Sequence, residues 1–185
     1  GIPIYVGDEE DVLKRYYFAA KKINAKNIVR LTADCPLIDP VIVDTYIQTF
    51  FNQNLDYIYP DLSFAEGLDT EVFTFQALEI AYNCAKRESE REHVTQYFHN
   101  NKEKFKILRL KNISNDSKYR ITVDEAEDFY VVKRIFKALY KEQNYPFGFN
   151  EIKNYLINNP KIYEVNTSII RNEGLQISLN KEPKI

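Results

Sequence analysis

The chain has 185 residues, 44% hydrophobic and 28% charged, enough for one water-soluble globular domain with a sizeable core. Its net charge of -2, with basic residues scattered rather than blocked, excludes bulk electrostatic attraction to nucleic acid. No apolar run is long enough to span a bilayer, and Cys35 and Cys84 alone make neither a disulfide framework nor a zinc cluster. With no secretory signal at the start, this cysteine usage predicts a reducing cytoplasm. The chain contains no Met and opens Gly1-Ile2-Pro3, so an upstream segment is expected.

Ile2-Pro3-Ile4-Tyr5-Val6 reads as a short strand closed by Gly7. Asp8 is placed to cap the next helix, with Asp11 in its first turn. Val12, Leu13, Tyr16, Tyr17, Ala20 and Ile23 then recur at helical spacing. After the turn Asn24-Ala25-Lys26, residues 27–31 form the apolar run of a buried, parallel-type strand. A loop carrying Asp34 follows. Asp39-Pro40 restarts a helix, with Asp at the N-cap and Pro at the first helical position. Its buried stripe is Val43, Tyr46, Ile47, Phe50 and Phe51.

Residues 56–59 read as a strand stopped by Pro60, 61–67 as a polar loop, and 69–75 as another strand. Leu78, Ala81, Tyr82 and Ala85 mark a helix. Ser89-Glu90-Arg91-Glu92 has capping-box spacing and opens a helix carrying Val94, Tyr97 and Phe98. Strands are expected over 105–110 and 119–123, the second ending at Asp124. Phe129, Val132, Ile135, Phe136 and Leu139 give a further helix, and 150–158 a last short one. Beyond Asn166 the pattern fades, which predicts one domain over 1–166 and a polar tail over 167–185. Alternating strands and helices in the first half predict an α/β fold, a parallel sheet covered by helices, with antiparallel additions over 56–110.

Ligands of open α/β sheets sit beyond the carboxyl ends of the strands. Two acids stand there: Asp34 and Asp124. If their strands are neighbours, both point into one crevice and can share a magnesium ion, which takes one or two carboxylates plus substrate phosphates and waters. Local structure offers each an alternative. Asp34 can satisfy turn amides. Asp124-Glu125-Ala126-Glu127 can cap a helix, and Glu92 can close the capping box. His93 can be structural. Nothing adjacent to Cys35 would depress its pKa, so it does not read as a nucleophile.

Five stretches in order carry a resemblance: Gly7-Asp8-Glu9-Glu10-Asp11-Val12-Leu13, Arg30-Leu31-Thr32-Ala33-Asp34-Cys35-Pro36-Leu37-Ile38-Asp39-Pro40, Gly67-Leu68-Asp69-Thr70-Glu71-Val72-Phe73, Ser89-Glu90-Arg91-Glu92-His93-Val94-Thr95 and Arg120-Ile121-Thr122-Val123-Asp124-Glu125. Together they resemble the cytidylyltransferases of bacterial surface and spore-coat polysaccharide synthesis, relatives of the CMP-sugar-acid synthetases. The resemblance implies a nucleotide-diphospho-sugar transferase-like (Rossmann-like) fold with a mixed, mainly parallel sheet. It implies transfer of CMP from CTP to an acidic sugar, and a homodimer through the middle segment. Asp34 and Asp124 would be catalytic and hold magnesium. Thr32 and Ala33 would lie beside the nucleotide, and Asp69, Glu71, Glu92 and His93 would line the sugar side. Arg30 and Arg120 face the site or bury a salt bridge. The family's opening strand, its loop with Gly, Arg and Lys for the triphosphate, and the helix and strand after them are not found from Gly1 onward. The chain alone is therefore expected to be inactive. The competing readings are a non-catalytic remnant or sugar-binding and dimerisation module of the same fold, and a sugar-nucleotide-dependent glycosyltransferase.

Overall fold

The computed structural model describes residues 1–141 and 147–181. Helix α1 (Val12–Lys22) forms where apolar spacing places it and buries Leu13, Tyr17 and Ala20. Its cap is Asp11 rather than Asp8. The Asp11 carboxylate accepts from the Lys14 amide at 2.9 Å, while Asp8 accepts from the Glu10 and Asp11 amides just before the helix. Strand β1 (Asn27–Arg30) leads into the Asp34 loop and helix α2 (Pro40–Asn52). Buried Asp39 caps two helices at once. Its Oδ1 accepts from Val41 N at 2.8 Å, and its Oδ2 from Phe149 N at the start of a helix 110 residues on, at 2.7 Å.

Strands β2 (Tyr57–Pro60), β3 (Glu71–Thr74) and β4 (Ile107–Leu110) complete a sheet of order β1-β3-β2-β4. β3 is antiparallel to both β1 and β2, and β2 is parallel to β4. Three strands therefore run one way and β3 alone runs back, giving a mixed, mainly parallel sheet with its reversal in the middle segment. Successive strand residues face opposite sides. Tyr57 and Phe73 pack with α1, α3 (Phe75–Cys84) and Phe98. Ile58 and Val72 pack with Tyr46 and Phe50 of α2. A third cluster joins Leu68, Tyr119 and Ile121 to α6 (Ala126–Leu139), α7 (Phe149–Asn158) and α8 (Pro160–Tyr163). Gly67, at φ +102, allows the close approach of these parts, since a Cβ there would lie 2.6 Å from the Thr122 nitrogen.

Several expectations are corrected. β1 is not a buried parallel strand: it is an edge, antiparallel to β3, and its residues alternate between exposed and half-buried. Phe51, expected in the buried stripe of α2, is 54% exposed. Residues 2–6 form no strand among the described residues, and Ile2, Ile4 and Val6 lie open to solvent. Residues 119–123 are extended but make a single bridge, Glu66 with Arg120, instead of a ladder. Their amides serve loops: Ile121 N donates to Glu66 O and Val123 N to Asp34 O, both at 2.8 Å. The helix expected from Ser89 breaks into α4 (Glu88–Glu92) and α5 (Gln96–Asn100), because Val94 adopts φ +46, in the left-handed region. The acid serving the amides ahead of α4 is Glu90, which accepts from Lys86 N and Arg87 N; Glu92 does not close the box. Within the expected tail, α9 (Glu173–Lys181) is helical, and residues 182–185 lie outside the described residues. Among the described residues no helix is long and apolar enough to cross a membrane.

Candidate active site

A cavity of about 790 Å³ opens where β1, the 59–71 turn and the 120–125 segment converge. That volume is ample for a nucleotide or a sugar. Thr32, Asp34, Asp69, Glu71, His93 and Asp124 line it, whereas Ala33 and Glu92 do not. Ala33 points away as an exposed residue, and Glu92 sits at the rim, its carboxylate 2.9 Å from Ser178 Oγ and 3.5 Å from His93 Nε2.

The two strand-end acids share one wall because their backbones are stitched together. Asp34 O accepts from Val123 N at 2.8 Å and from Thr122 Oγ1 at 3.1 Å. The Asp34 carboxylate meets only the Cys35 thiol, at 3.7 Å. Asp124 gives one oxygen, Oδ2, to Arg120 at 2.7 Å and is half-exposed. Each acid thus keeps an oxygen without a hydrogen bond. Among the described residues no three or more His, Cys, Asp or Glu side chains are grouped to hold a metal by themselves. Two hard carboxylates on one wall fit a magnesium ion whose remaining ligands are water and substrate oxygens.

Arg120 both faces the cavity and carries a buried ion network. Nε and Nη2 reach Asp128 at 2.8 Å each, Nη1 reaches Glu66 at 2.7 Å, and Nη2 also reaches Asp124. Asn166 donates to Arg120 O and to Asp128 Oδ1. Burial works against the Arg120 charge, but Asp128 and Glu66 outweigh it and raise its pKa. Burial likewise opposes the charge on Asp128, and Arg120, Asn166 and the Asp124 and Glu125 amides outweigh it, so the carboxyl lies below its ordinary value. Glu125 is the N-cap of α6, and Asp128, three positions on, reaches back to its amide and to that of Asp124, so Asp124 is not the N-cap.

Across the cavity, buried Glu71 spends both oxygens inside the protein. One accepts from the Tyr57 hydroxyl, which also meets His99 Nε2 at 3.2 Å, and the other holds Arg30 Nη1 at 2.5 Å. Glu71 thereby fixes Arg30 at the cavity wall. Burial lowers the pKa of His93 and of His99 below the ordinary histidine value, favouring neutral imidazoles near pH 7. Burial pushes the Cys35 thiol up to about 12, so it stays protonated and is no nucleophile. The remaining wall comes from residues 169–179, which sequence patterning left featureless. Their apolar residues lack a sustained helical stripe. Arg171 and Asn166 were missed because their partners lie in distant parts of the chain, as with Arg171 Nη2 and Asp69 Oδ1, 3.1 Å apart across 102 positions, and Asp128 because it stands among neighbouring acids.

Comparison with known proteins supplies independent findings. A family model described as cytidylyltransferase matches residues 4–169. An uncharacterized protein of Methanocaldococcus jannaschii is 33% identical over 172 residues, covering 91% of this chain and 69% of the relative. The spore coat polysaccharide biosynthesis protein SpsF of Bacillus subtilis is 31% identical over 140 residues, 74% of this chain and 58% of SpsF. A solved cytidylyltransferase of Leptospira borgpetersenii superposes with a TM-score of 0.82 at 34% identity, over 88% of this chain and 69% of that one.

Proposed function

Since the chain belongs to the cytidylyltransferase family of nucleotidyltransferases, we propose that it transfers CMP from CTP to an acidic sugar destined for a surface polysaccharide or glycan. The polysaccharide context is carried over from the similarity to SpsF. The observation that carries the reading is the shared wall of Asp34 and Asp124, joined through the Asp34 O–Val123 N bond.

In this reading Asp34 and Asp124 hold Mg2+, which, when bound, neutralises charge on the CTP phosphates. Thr32 flanks the nucleotide, with Ala33 next to it in the chain but outside the cavity lining. Asp69 and His93 face the sugar, with Glu92 at the rim. A sugar hydroxyl oxygen forms a bond to the α-phosphorus as the bond to pyrophosphate breaks. Neutral His93 accepts a hydrogen bond from a sugar hydroxyl, which an imidazolium cannot do. Arg120 holds Asp124 in place, and Glu71 does the same for Arg30, so the charged groups are positioned before substrate arrives.

The test is pyrophosphate release from CTP with magnesium and a panel of acidic and neutral sugars. Release with acidic sugars only, lost in Asp34→Asn and Asp124→Asn, is expected. No release points to the non-catalytic module, and sugar transfer without pyrophosphate points to a glycosyltransferase.

A further inference from the structure

Residues 169–179 form the outer wall of the cavity, and all but the first lie beyond the family match, which ends at 169. This wall is incompletely docked. Ile170, Ile177 and Leu179 line the cavity yet remain 56%, 48% and 38% exposed. Its polar ties fall on a backbone carbonyl, Phe64 O, to which Arg171 Nη1 donates at 2.9 Å, and on carboxylates. Arg171 Nη2 lies 3.1 Å from Asp69 Oδ1, and Ser178 Oγ donates to Glu92 at 2.9 Å. Asp69 and Glu92 are two of the acids that the proposed function assigns to the sugar side. The wall and a sugar therefore compete for the same groups.

Three side chains of this cavity each have a buried nitrogen with no hydrogen-bond partner: Arg30 Nε, His93 Nε2 and Arg171 Nε. Buried polar atoms are seldom left so, because each forfeits its bonds to water. All three atoms are closed to solvent, and His93 Nε2 lies 3.5 Å from the Glu92 carboxylate, so an occupant reaches them only if neighbouring side chains move. Among the described residues four arginines line the cavity, and of these Arg171 alone belongs to the outer wall; Arg109, whose side chain is 47% exposed, pairs with Asp61. Arg30 is held by buried Glu71 and Arg120 by buried Asp128. The ion partner of Arg171, Asp69, has a side chain 34% exposed, so an incoming anion can reach and replace it.

We propose that residues 169–181 are a strap over the sugar side of the cavity, and that Arg171 is its specificity residue: the carboxylate of an acidic sugar takes the place of Asp69 on Arg171. The strap opens locally, without unfolding of the core, to admit the sugar, and recloses with Arg171 on the substrate. Neutral sugars lack the group that makes this exchange. The inference rests on reading the cavity as a sugar site, but it is tested on the protein without turnover.

The experiment is amide hydrogen exchange on the full chain, followed in peptides covering 169–181 and in α6 as the core reference. The strap is expected to exchange well ahead of α6. Arg171→Gln and Ser178→Ala should each speed strap exchange, the first by about tenfold, as for loss of a charge-assisted bond, with α6 unchanged. D-glucuronate should alter strap exchange in the unsubstituted chain while D-glucose, at equal concentration and ionic strength, does not. Arg171→Lys should keep part of that response and Arg171→Gln none. Exchange of the strap in step with α6, or the same response to both sugars, overturns the proposal. Failure of the CMP-transfer reading shows instead as absent pyrophosphate release and leaves these exchange rates as they are.

Discussion

Arg120 gathers Glu66, Asp124 and Asp128 around one guanidinium, and their exposures differ sharply: the Asp128 side chain is 0% exposed and that of Asp124 48%. The same contact distance therefore carries different energy. Asp128 accepts bonds from Arg120, Asn166 and the Asp124 and Glu125 amides in a buried setting, so Asp128→Ala should destabilise by about 3–5 kcal/mol although Glu66 still balances the Arg120 charge. Asp124→Asn gives up a half-solvated ion pair and should cost no more than about 1 kcal/mol. Asp124→Ala should match Asp124→Asn, since the N-cap of α6 is Glu125, backed by Asp128, and not Asp124. Urea melts of the three variants check this, and an Ala variant about 1 kcal/mol worse than the Asn variant would restore Asp124 as a cap. At this scale the sequence was legible where a residue's duty is local. Asp39 before Pro40 announced a helix start, though not its second duty to Phe149. Arg120 was suspected, but its principal partner Asp128 was hidden among four acids between 124 and 128.

Helices with a sustained apolar stripe, such as α1 and α6, were readable because burial of one face fixes their period. The pattern failed where backbone geometry decides. Val94 at φ +46 divides α4 from α5, and nothing in its apolar side chain signals that. The antiparallel addition in the middle segment was readable, but β1, expected as a buried parallel strand, is an edge strand paired antiparallel with β3, and such edges need coordinates. β4 is an edge flanked by Lys106, Arg109 and Lys111, charges that discourage pairing with another chain. β1 is the other edge, and it exposes Val29 at 40%, with Leu31 just beyond at 42%. Its unpaired backbone groups are a template for another strand. Residues 1–185 should accordingly self-associate as concentration rises, and Val29→Lys should return them to monomer with unchanged circular dichroism. Sedimentation velocity decides the matter: a parent chain that stays monomeric shows that this edge is not adhesive.

The cavity is assembled from stretches around 30–35, 59–71, 93–99, 109, 120–125 and 169–179, brought together by the whole fold. Strand-end position pointed to Asp34 and Asp124, but the chain of contacts His99–Tyr57–Glu71–Arg30 spans 41 and 42 positions at its longer links and leaves no local mark. This network links the cavity to global stability through pH. His93 and His99 have native pKa values depressed by burial below 6.5. The unfolded chain therefore binds protons first as pH falls through about 6.5, and the stability due to neutral burial is complete above that value and lost below it. Glu66, whose carboxyl burial pushes above 4.5, acts with the opposite sign: its native form takes up a proton first and regains some stability on further acidification. Asp128, held below 3.8, contributes stability that is lost only at still lower pH. Between about pH 7 and about pH 5 the histidines are thus the groups whose depressed pKa values make stability fall. The urea midpoint should drop over that interval, and His99→Gln should flatten part of the slope while His93→Gln flattens the rest. A midpoint that does not change between those limits, or that rises on acidification, would mean that neither imidazole is held neutral by burial.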